Sequence, residues 1–231
     1  MIKIKISFEQ KFFYTIIVLT AVTVLTTAII FKQSVLNIAP LMISLFVGYL
    51  SSKASKYSLL IGSFNCIIYC IVYFILGVYS AALSALLIDG PFQIFSFIKW
   101  NKRAYKSTTT FRKTKFKFWL ILLPIALALY FTLVYFLKTR NSKFVYVDVL
   151  LTVSSLITYV LMFLSYKEYS LISLITAPIS LIHSLLILTL DRAHITFVVF
   201  SIYSLICGIK RFISVQKFYK EQQGENYENI K

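Results

Sequence analysis

Eight apolar runs, each close to the length of a transmembrane helix, constrain this chain more than any other feature. A helix needs roughly 20 apolar residues to cross ~30 Å of hydrocarbon. The sequence contains eight candidates in series, over 12–31, 35–50, 58–76, 79–98, 118–137, 146–165, 171–190 and 195–212. The second is the weakest, because it is short and contains Pro40 and Gly48. With 59% hydrophobic and 14% charged residues and a mean hydropathy of +0.81, the chain is too apolar for one soluble core. We therefore predict an all-α, polytopic membrane protein.

Positive charge is divided unevenly between the two sides that eight spans define. Of the 24 Lys and Arg residues, nineteen fall on the side that carries both termini, eight of them between Lys99 and Lys117. The positive-inside rule then predicts a plasma-membrane protein with both termini in the cytoplasm. Because the charge lies between apolar segments, anionic lipid headgroups are the expected partners of the net charge of +16, and nucleic acid is not.

Span lengths and loop positions indicate an internal duplication. A shift of 112 residues places Ser96 on Gly208 and Lys99 on Arg211, and spans 2 to 4 on spans 6 to 8. Both triplets run in the same direction, so span 5 restores the direction between them. The predicted organisation is an extra N-terminal helix (1–34), a three-helix bundle (35–100), a basic loop with a linker helix (101–145), a second three-helix bundle (146–213) and a polar tail (214–231). We expect the part of that tail from Gln216 to Lys231 to fray in water.

Asp89 is the only acid deep inside a predicted span. A carboxylate within a membrane costs several kcal/mol unless it is paired or protonated, so it is a functional-site candidate by default. Two alternatives stay open: Asp89 braces the backbone freed by the Gly-Pro pair that follows it, or the end of the span is misplaced. Helical spacing puts three further side chains on the same face, Gln93, Ser96 and Trp100.

Span 3 has a second polar face, formed by Gly62, Asn65, Tyr69 and Tyr73. One interpretation is packing and interhelical hydrogen bonding, worth about 0.6 kcal/mol per pair. The other is a pocket in which tyrosine stacks on a flat ring and Asn65 binds the edge of that ring. In span 7, Thr176 and His183 are candidates, although a lone His is more often a hydrogen-bonded interior residue than a proton carrier.

Several classes of site are absent from the sequence. Cys66, Cys70 and Cys207 lie inside apolar segments without metal-ligand spacing, so we expect packing roles and no disulfide, metal or cofactor. No nucleophile with a nearby base and no Gly-rich phosphate loop is present, which disfavours an enzyme. A carrier or a non-transporting membrane scaffold remains.

Three stretches resemble a known family. They are Gly62-Ser-Phe-Asn65-Cys-Ile-Ile-Tyr69 with the following Gly77-Val-Tyr79, Pro91-Phe-Gln93-Ile-Phe-Ser96-Phe-Ile-Lys-Trp100 before a basic loop, and Asp148-Val-Leu-Leu-Thr152 leading to Tyr166-Lys-Glu168. Together they are similar to the PnuC family of vitamin transporters in its Gram-positive form, over about Leu41 to Lys210. Ser96 stands where the family motif has glycine, and Asp89 lies outside the motif.

The resemblance implies a SWEET-like 3+1+3 parallel arrangement of helices, with span 1 as an addition. It also implies facilitated diffusion of a vitamin-type small molecule, nicotinamide riboside first and thiamine or riboflavin as alternatives, trapped by phosphorylation inside. A homotrimer is left open. The expected substrate-binding residues are Asn65, Tyr69, Asp89, Gln93, Ser96, Trp100, Thr176 and His183.

Overall fold

The computed structural model describes residues 8–32, 35–75, 85–138, 144–189 and 195–228, and within them the protein is mostly helical. The helices are α1 (Phe8–Ile30), α2 (Val35–Ser52), α3 (Tyr57–Ile75), α4 (Gly90–Lys102), α5 (Phe116–Lys138), α6 (Val145–Phe163), α7 (Tyr169–Leu188) and α8 (Ile195–Glu228). A π-helical turn, Ala85–Asp89, leads directly into α4. The predicted all-α fold is confirmed, with one helix for each predicted span.

Length and composition let five of the described helices cross a membrane: α1, α5, α6, α7 and α8. The apolar parts of α2 and α3 are shorter, at Ile38–Ser52 and Tyr57–Val72. The first residues of the predicted fourth span, and the Gly77-Val-Tyr79 turn, lie outside the described residues. A multi-pass membrane protein accounts for this set of helices.

The helices pack as two groups of three. In one group α3 contacts α2 and α4, and in the other α7 contacts α6 and α8. The groups meet where α2 contacts α8 and where α4 contacts α6, so these six helices close a ring. Outside it, α1 packs on α8 and α2, and α5 packs on α6.

A small hairpin covers one end of the bundle, which we call the basic end; the opposite end is the far end. Strand β1 (Ala104–Tyr105) pairs antiparallel with β2 (Thr108–Thr109), and Lys106 in the turn has a φ of 52°. The loop after the hairpin forms a parallel bridge between Arg112 and Tyr166. Hydrogen bonds therefore join the α4–α5 connection to the α6–α7 connection.

The expectation of a fraying tail is wrong for the residues described after position 213. Helix α8 continues without interruption to Glu228. Val215 is fully buried and belongs to a core cluster with Trp100 and Phe111, and Phe218 packs against that cluster. Apolar side chains spaced along one face hold the extension against the hairpin loop. We call this assembly of residues 103–115 and 215–223 the cap.

Candidate functional site

An intramembrane polar cluster forms where α3, α4, α6 and α8 come together. From α4, Gln93 Nε2 donates a hydrogen bond to Cys66 Sγ at 3.2 Å. Gly62 makes room for this contact, because a Cβ at that position would overlap Gln93 Oε1. The glycine and the amide predicted on separate helix faces thus meet at one point.

Tyr159 and Arg211 join this cluster and were missed by the sequence reasoning. Tyr159 interacts with Gln93 and lies within electrostatic range of both Asp89 and Arg211. Arg211 Nη1 donates to Ser173 Oγ at 2.7 Å, while its Nε is buried without a partner in the described structure. Arg211 is at the end of the last apolar run, 195–212, next to Lys210, where sequence patterns indicate a basic residue at the membrane surface.

Asp89 lies at the junction of the π-helical turn and α4, half-buried near Cys66 and Tyr159. Its side chain makes no capping hydrogen bond to the start of α4, although Pro91 is in the first turn. The bracing role considered from the sequence therefore has no hydrogen bond to support it.

An aromatic wall borders the cluster. Phe92 stacks on Tyr159 with ring centroids 6.4 Å apart and an angle of 26° between the planes. Phe163 meets the edge of Phe92 at 90°. Such a wall presents flat apolar surface beside an amide, a phenol and a carboxylate.

Asn65 and Tyr69 form a second polar group between α2 and α3. Asn65 Nδ2 donates to the carbonyl oxygen of Pro40 at 3.1 Å and to Ser44 Oγ at 2.8 Å. Ser44 is also hydrogen-bonded to the Tyr69 hydroxyl, at 3.3 Å. Asn65 Oδ1 is buried and has no partner within the described part of the chain. A buried free acceptor of this kind is costly, and a ligand donor would satisfy it.

Ser96 and Trp100 lie closer to the basic end. Ser96 is fully buried, and its Oγ has no hydrogen-bond partner among the described residues. Trp100 is 1% exposed, donates from Nε1 to the Met162 carbonyl at 2.9 Å and packs edge-on against Phe111 and Tyr169. Its contacts join α4 to α6, and it is about 10 Å along the helix from Gln93.

Neither Thr176 nor His183 makes a hydrogen bond to a described residue of the cluster. Thr176 bonds back to its own helix, at the Ile172 carbonyl. His183 Nε2 lies 2.5 Å from Asp148 Oδ1, near the far ends of α7 and α6. Ten residues, about 15 Å of helix, separate His183 from Ser173, which bonds Arg211. The pair joins two neighbouring helices instead of lining the cluster.

The chemistry of the cluster suits recognition. It offers one carboxylate, one guanidinium, an amide and a phenol beside aromatic rings. Among the described residues there is no group of three His, Cys, Asp or Glu side chains that could hold a metal ion. These groups can bind and orient a small polar molecule within an apolar bundle.

Comparison with known proteins identifies the family. The sequence matches the family described as Nicotinamide mononucleotide transporter over residues 34–212. The fold is similar to that of a solved structure titled Crystal structure of the Vitamin B3 transporter PnuC, with a TM-score of 0.71 and 16% sequence identity, over 91% of this chain and 92% of that one. No curated protein sequence matches. Because the family match covers well over half of its length, the chain belongs to the nicotinamide mononucleotide transporter family, a family of membrane transporters and not of enzymes.

Proposed function

We propose that the protein carries nicotinamide riboside across the cell membrane by facilitated diffusion, with phosphorylation inside the cell trapping the vitamin. Membership of a nucleotide-vitamin transporter family and a fold shared with a vitamin B3 transporter support this substrate class. In the cluster we find no second carboxylate beside Asp89 among the described residues, which suits uptake that does not depend on an ion gradient.

The observation that carries the proposal is the composition of the polar cluster. Nicotinamide riboside is flat and cationic, and the cluster offers Asp89 for the charge, Gln93 for the ring amide and the stacked Phe92 and Tyr159 for the ring. The cluster contains one carboxylate, Asp89, and one guanidinium, Arg211, so it has no surplus positive charge for a phosphate. This balance favours the nucleoside over its phosphorylated form.

The proposal also covers the orientation of the protein in the membrane and the movement of its helices during transport. The basic end faces the cytoplasm, where its Lys and Arg residues contact anionic headgroups. The helix groups α2–α4 and α6–α8 move as parallel units about the cluster, and the α2–α8 and α4–α6 contacts are the surfaces that change. A homotrimer is compatible with this scheme, since all six ring helices belong to one chain.

Uptake of labelled vitamins tests the proposal. We expect cells that lack their own transporters to take up nicotinamide riboside when they express this protein, faster than thiamine, the other cationic candidate, and faster than uncharged riboflavin. Gln93→Ala and Asn65→Ala should each reduce uptake by roughly tenfold, the effect of one lost hydrogen bond of about 1–1.5 kcal/mol. Thr132→Ala, on exposed surface of α5 with a bond only to its own helix, is the control.

Two results would overturn the assignment. Faster uptake of thiamine or riboflavin would keep the carrier and change its substrate. No uptake of any of the three, together with a protein that copurifies in equal amount, would favour the scaffold or accessory-subunit alternative.

A further inference from the structure

The cap contains a cavity of about 300 Å³, separate from the intramembrane cluster. It lies where the hairpin loop meets the extension of α8, and its wall includes Tyr105, Arg112, Lys113, Tyr219, Gln222 and Gln223. The volume is at the lower end of the range typical of small-molecule sites. It suits one compact ligand at the membrane surface.

The floor of this cavity is held by hydrogen bonds across the sequence. Gln222 Oε1 accepts from the Phe111 amide at 2.9 Å, and its Nε2 donates to the Thr109 carbonyl at 2.9 Å. The backbone of Arg112 is bonded on both sides, to Ser165 and Lys167, at 2.9 Å each. A site already ordered in this way loses little conformational freedom when a ligand binds.

The wall is positively charged. Arg112 and Lys113 are exposed and form no ion pair with a described residue. Two nearby carboxylates are engaged elsewhere: Glu221 pairs with Lys106 at 2.8 Å, and Glu168 accepts from the Thr114 amide at 3.2 Å. A guanidinium beside an ammonium, with no carboxylate among the described residues of the wall, is suited to a phosphate group.

Aromatic and amide groups complete the wall. Lys167 Nζ lies 4.1 Å from the centre of the Tyr219 ring, and Gln223 Nε2 donates a hydrogen bond to the Tyr219 hydroxyl at 2.8 Å. These two contacts fix the orientation of the Tyr219 ring. Tyr105 meets Phe218 edge-on, with ring centroids 6.4 Å apart. Two tyrosines beside a cationic pair suit a ligand with both a phosphate and a flat or sugar-like body.

We propose that this cavity binds a phosphate monoester of about the size of one phosphorylated nucleoside. Arg112 and Lys113 bind the phosphate, and the tyrosines contact the rest of the molecule. The ligand bridges the α4–α5 loop and α8, and so stabilises the closed cap. If the function proposed above holds, on which this last step rests, the phosphorylated product of trapping is such a ligand, and its accumulation slows further uptake.

Binding to the purified full-length protein in zwitterionic nanodiscs tests the site without transport. The probes are nicotinamide mononucleotide, nicotinamide riboside and inorganic phosphate, followed by calorimetry and thermal unfolding. We expect the mononucleotide to bind and to raise the unfolding midpoint. The double variant Arg112→Gln with Lys113→Gln should weaken binding by about tenfold or more, as loss of charge-assisted hydrogen bonds implies.

The matched control is Lys115→Gln with Lys117→Gln, which removes the same charge from exposed positions of the same segment that do not line the cavity. Its affinity should stay within about twofold of the unaltered protein. An equal loss of mononucleotide affinity in both double variants would show that the basic surface attracts anions in general, and would overturn the proposed site. The absence of mononucleotide binding by the unaltered protein would overturn it as well. Unfolding midpoints without ligand show that each variant is folded.

Two further measurements identify the occupant and separate the proposals. Nanodiscs that contain phosphatidic acid distinguish a lipid headgroup from a free ligand. If phosphatidic acid weakens mononucleotide binding in a way that depends on Arg112 and Lys113, the lipid headgroup is the occupant of the cavity. If it does not, the occupant is the soluble phosphate ester. Gln93→Ala should leave mononucleotide binding at the cap unchanged, and loss of binding in that variant would move the ligand to the membrane cluster and overturn the cap site. If the protein binds the mononucleotide at the cap but does not transport nicotinamide riboside, the cap site stands and only the proposed carrier function is rejected.

Discussion

At the scale of single residues, Gly62 determines where Gln93 can lie. The missing side chain of Gly62 leaves the space that the end of the Gln93 side chain occupies. Gln93 then reaches Cys66 on α3 and Tyr159 on α6. One glycine therefore sets the position of an amide on α4 that interacts with two other helices, α3 and α6.

Gly62→Ala should impair transport more than stability. The new methyl would displace only the flexible end of Gln93, and alanine favours the helix by up to ~1 kcal/mol, so the unfolding midpoint should change little. Uptake should fall roughly tenfold, because the amide loses its hydrogen-bonding position. Gly224→Ala, with open space around it, is the control for uptake and unfolding. Normal uptake by Gly62→Ala would show that the position of Gln93 does not matter.

The sequence predicts Asp89, Gln93 and Asn65 as candidate site residues because polar residues inside apolar helices are conspicuous. It did not identify Tyr159 or Arg211. Tyr159 is one of sixteen tyrosines in a chain rich in aromatic residues, and its role depends on α6 packing against α4. Trp100 fits the family motif, which predicts a substrate-binding residue. In the structure its indole is buried between helices and donates a hydrogen bond to the Met162 carbonyl, a contact that the sequence alone does not indicate.

At the scale of elements, the extension of α8 is the part that sequence patterns described least well. Its polar residues and Gly224 are typical of a solvated tail. It is ordered by the apolar contacts of Val215 and Phe218 and by the hydrogen bonds of Gln222 to two backbone groups of the hairpin loop, more than 100 residues earlier in the chain. Long-range acceptors and donors of this kind leave no local periodicity.

Gln222→Ala should destabilise the cap by about 1–3 kcal/mol, because the buried amide of Phe111 loses its acceptor. Thermal unfolding and proteolysis of the 103–115 loop would measure the loss. Gln223→Ala changes an exposed neighbour and should stay within about 0.5 kcal/mol of the parent. Similar values for the two variants would contradict the role given to Gln222.

The Lys106–Glu221 pair makes attachment of the hairpin depend on pH. Lys106 lowers the pKa of Glu221 from its ordinary value of 4.5, and Glu221 raises the pKa of Lys106 from 10.5. The pair therefore stabilises the attached hairpin fully between pH 4.5 and pH 10.5. This stabilisation is lost as the pH falls through the lowered pKa of Glu221, or as it rises through the raised pKa of Lys106. Hydrogen exchange of residues 104–110, corrected for intrinsic rates, should accelerate below pH 4.5. Lys106→Gln should abolish the part of that change due to the pair, and high salt should weaken it.

At the scale of the whole molecule, the ring of six helices depends on two contacts between its halves. At one of them, Gly48 of α2 faces Tyr203 of α8, whose hydroxyl donates to the Leu45 carbonyl at 2.5 Å. Tyr203 is 1% exposed, so its ring is enclosed by neighbouring groups. The α2–α8 contact is thus closely packed.

Gly48→Ala should lower the unfolding midpoint, since its Cβ would lie 2.8 Å from the Tyr203 ring. Overpacking typically costs about 1–3 kcal/mol, partly offset by the helix preference of alanine. Gly208→Ala, on α8 with its nearest neighbour at 3.8 Å, should be neutral or stabilising. Equal midpoints in the two variants would show that the α2–α8 contact can relax.

Much of the whole molecule could be predicted: eight apolar runs gave eight helices, since length and hydrophobicity are local properties. The 112-residue repeat suggested which helices belong to the same group, but it could not determine the order of contacts around the ring. That order depends on particular close approaches, such as Gly48 with Tyr203 and Gly62 with Gln93, that a sequence alone does not pair.

The bonds between Gln222 and the hairpin loop also have a consequence for biosynthesis. Phe111 is translated 111 residues before Gln222. At about 5–20 residues per second, the ribosome adds those residues in on the order of ten seconds. For most of that interval, until Val215 is added, Trp100 and Phe111 lack Val215 as a packing neighbour. A nascent chain that stops before Val215 leaves this apolar surface exposed, and exposed apolar surface makes an unfinished chain prone to aggregation.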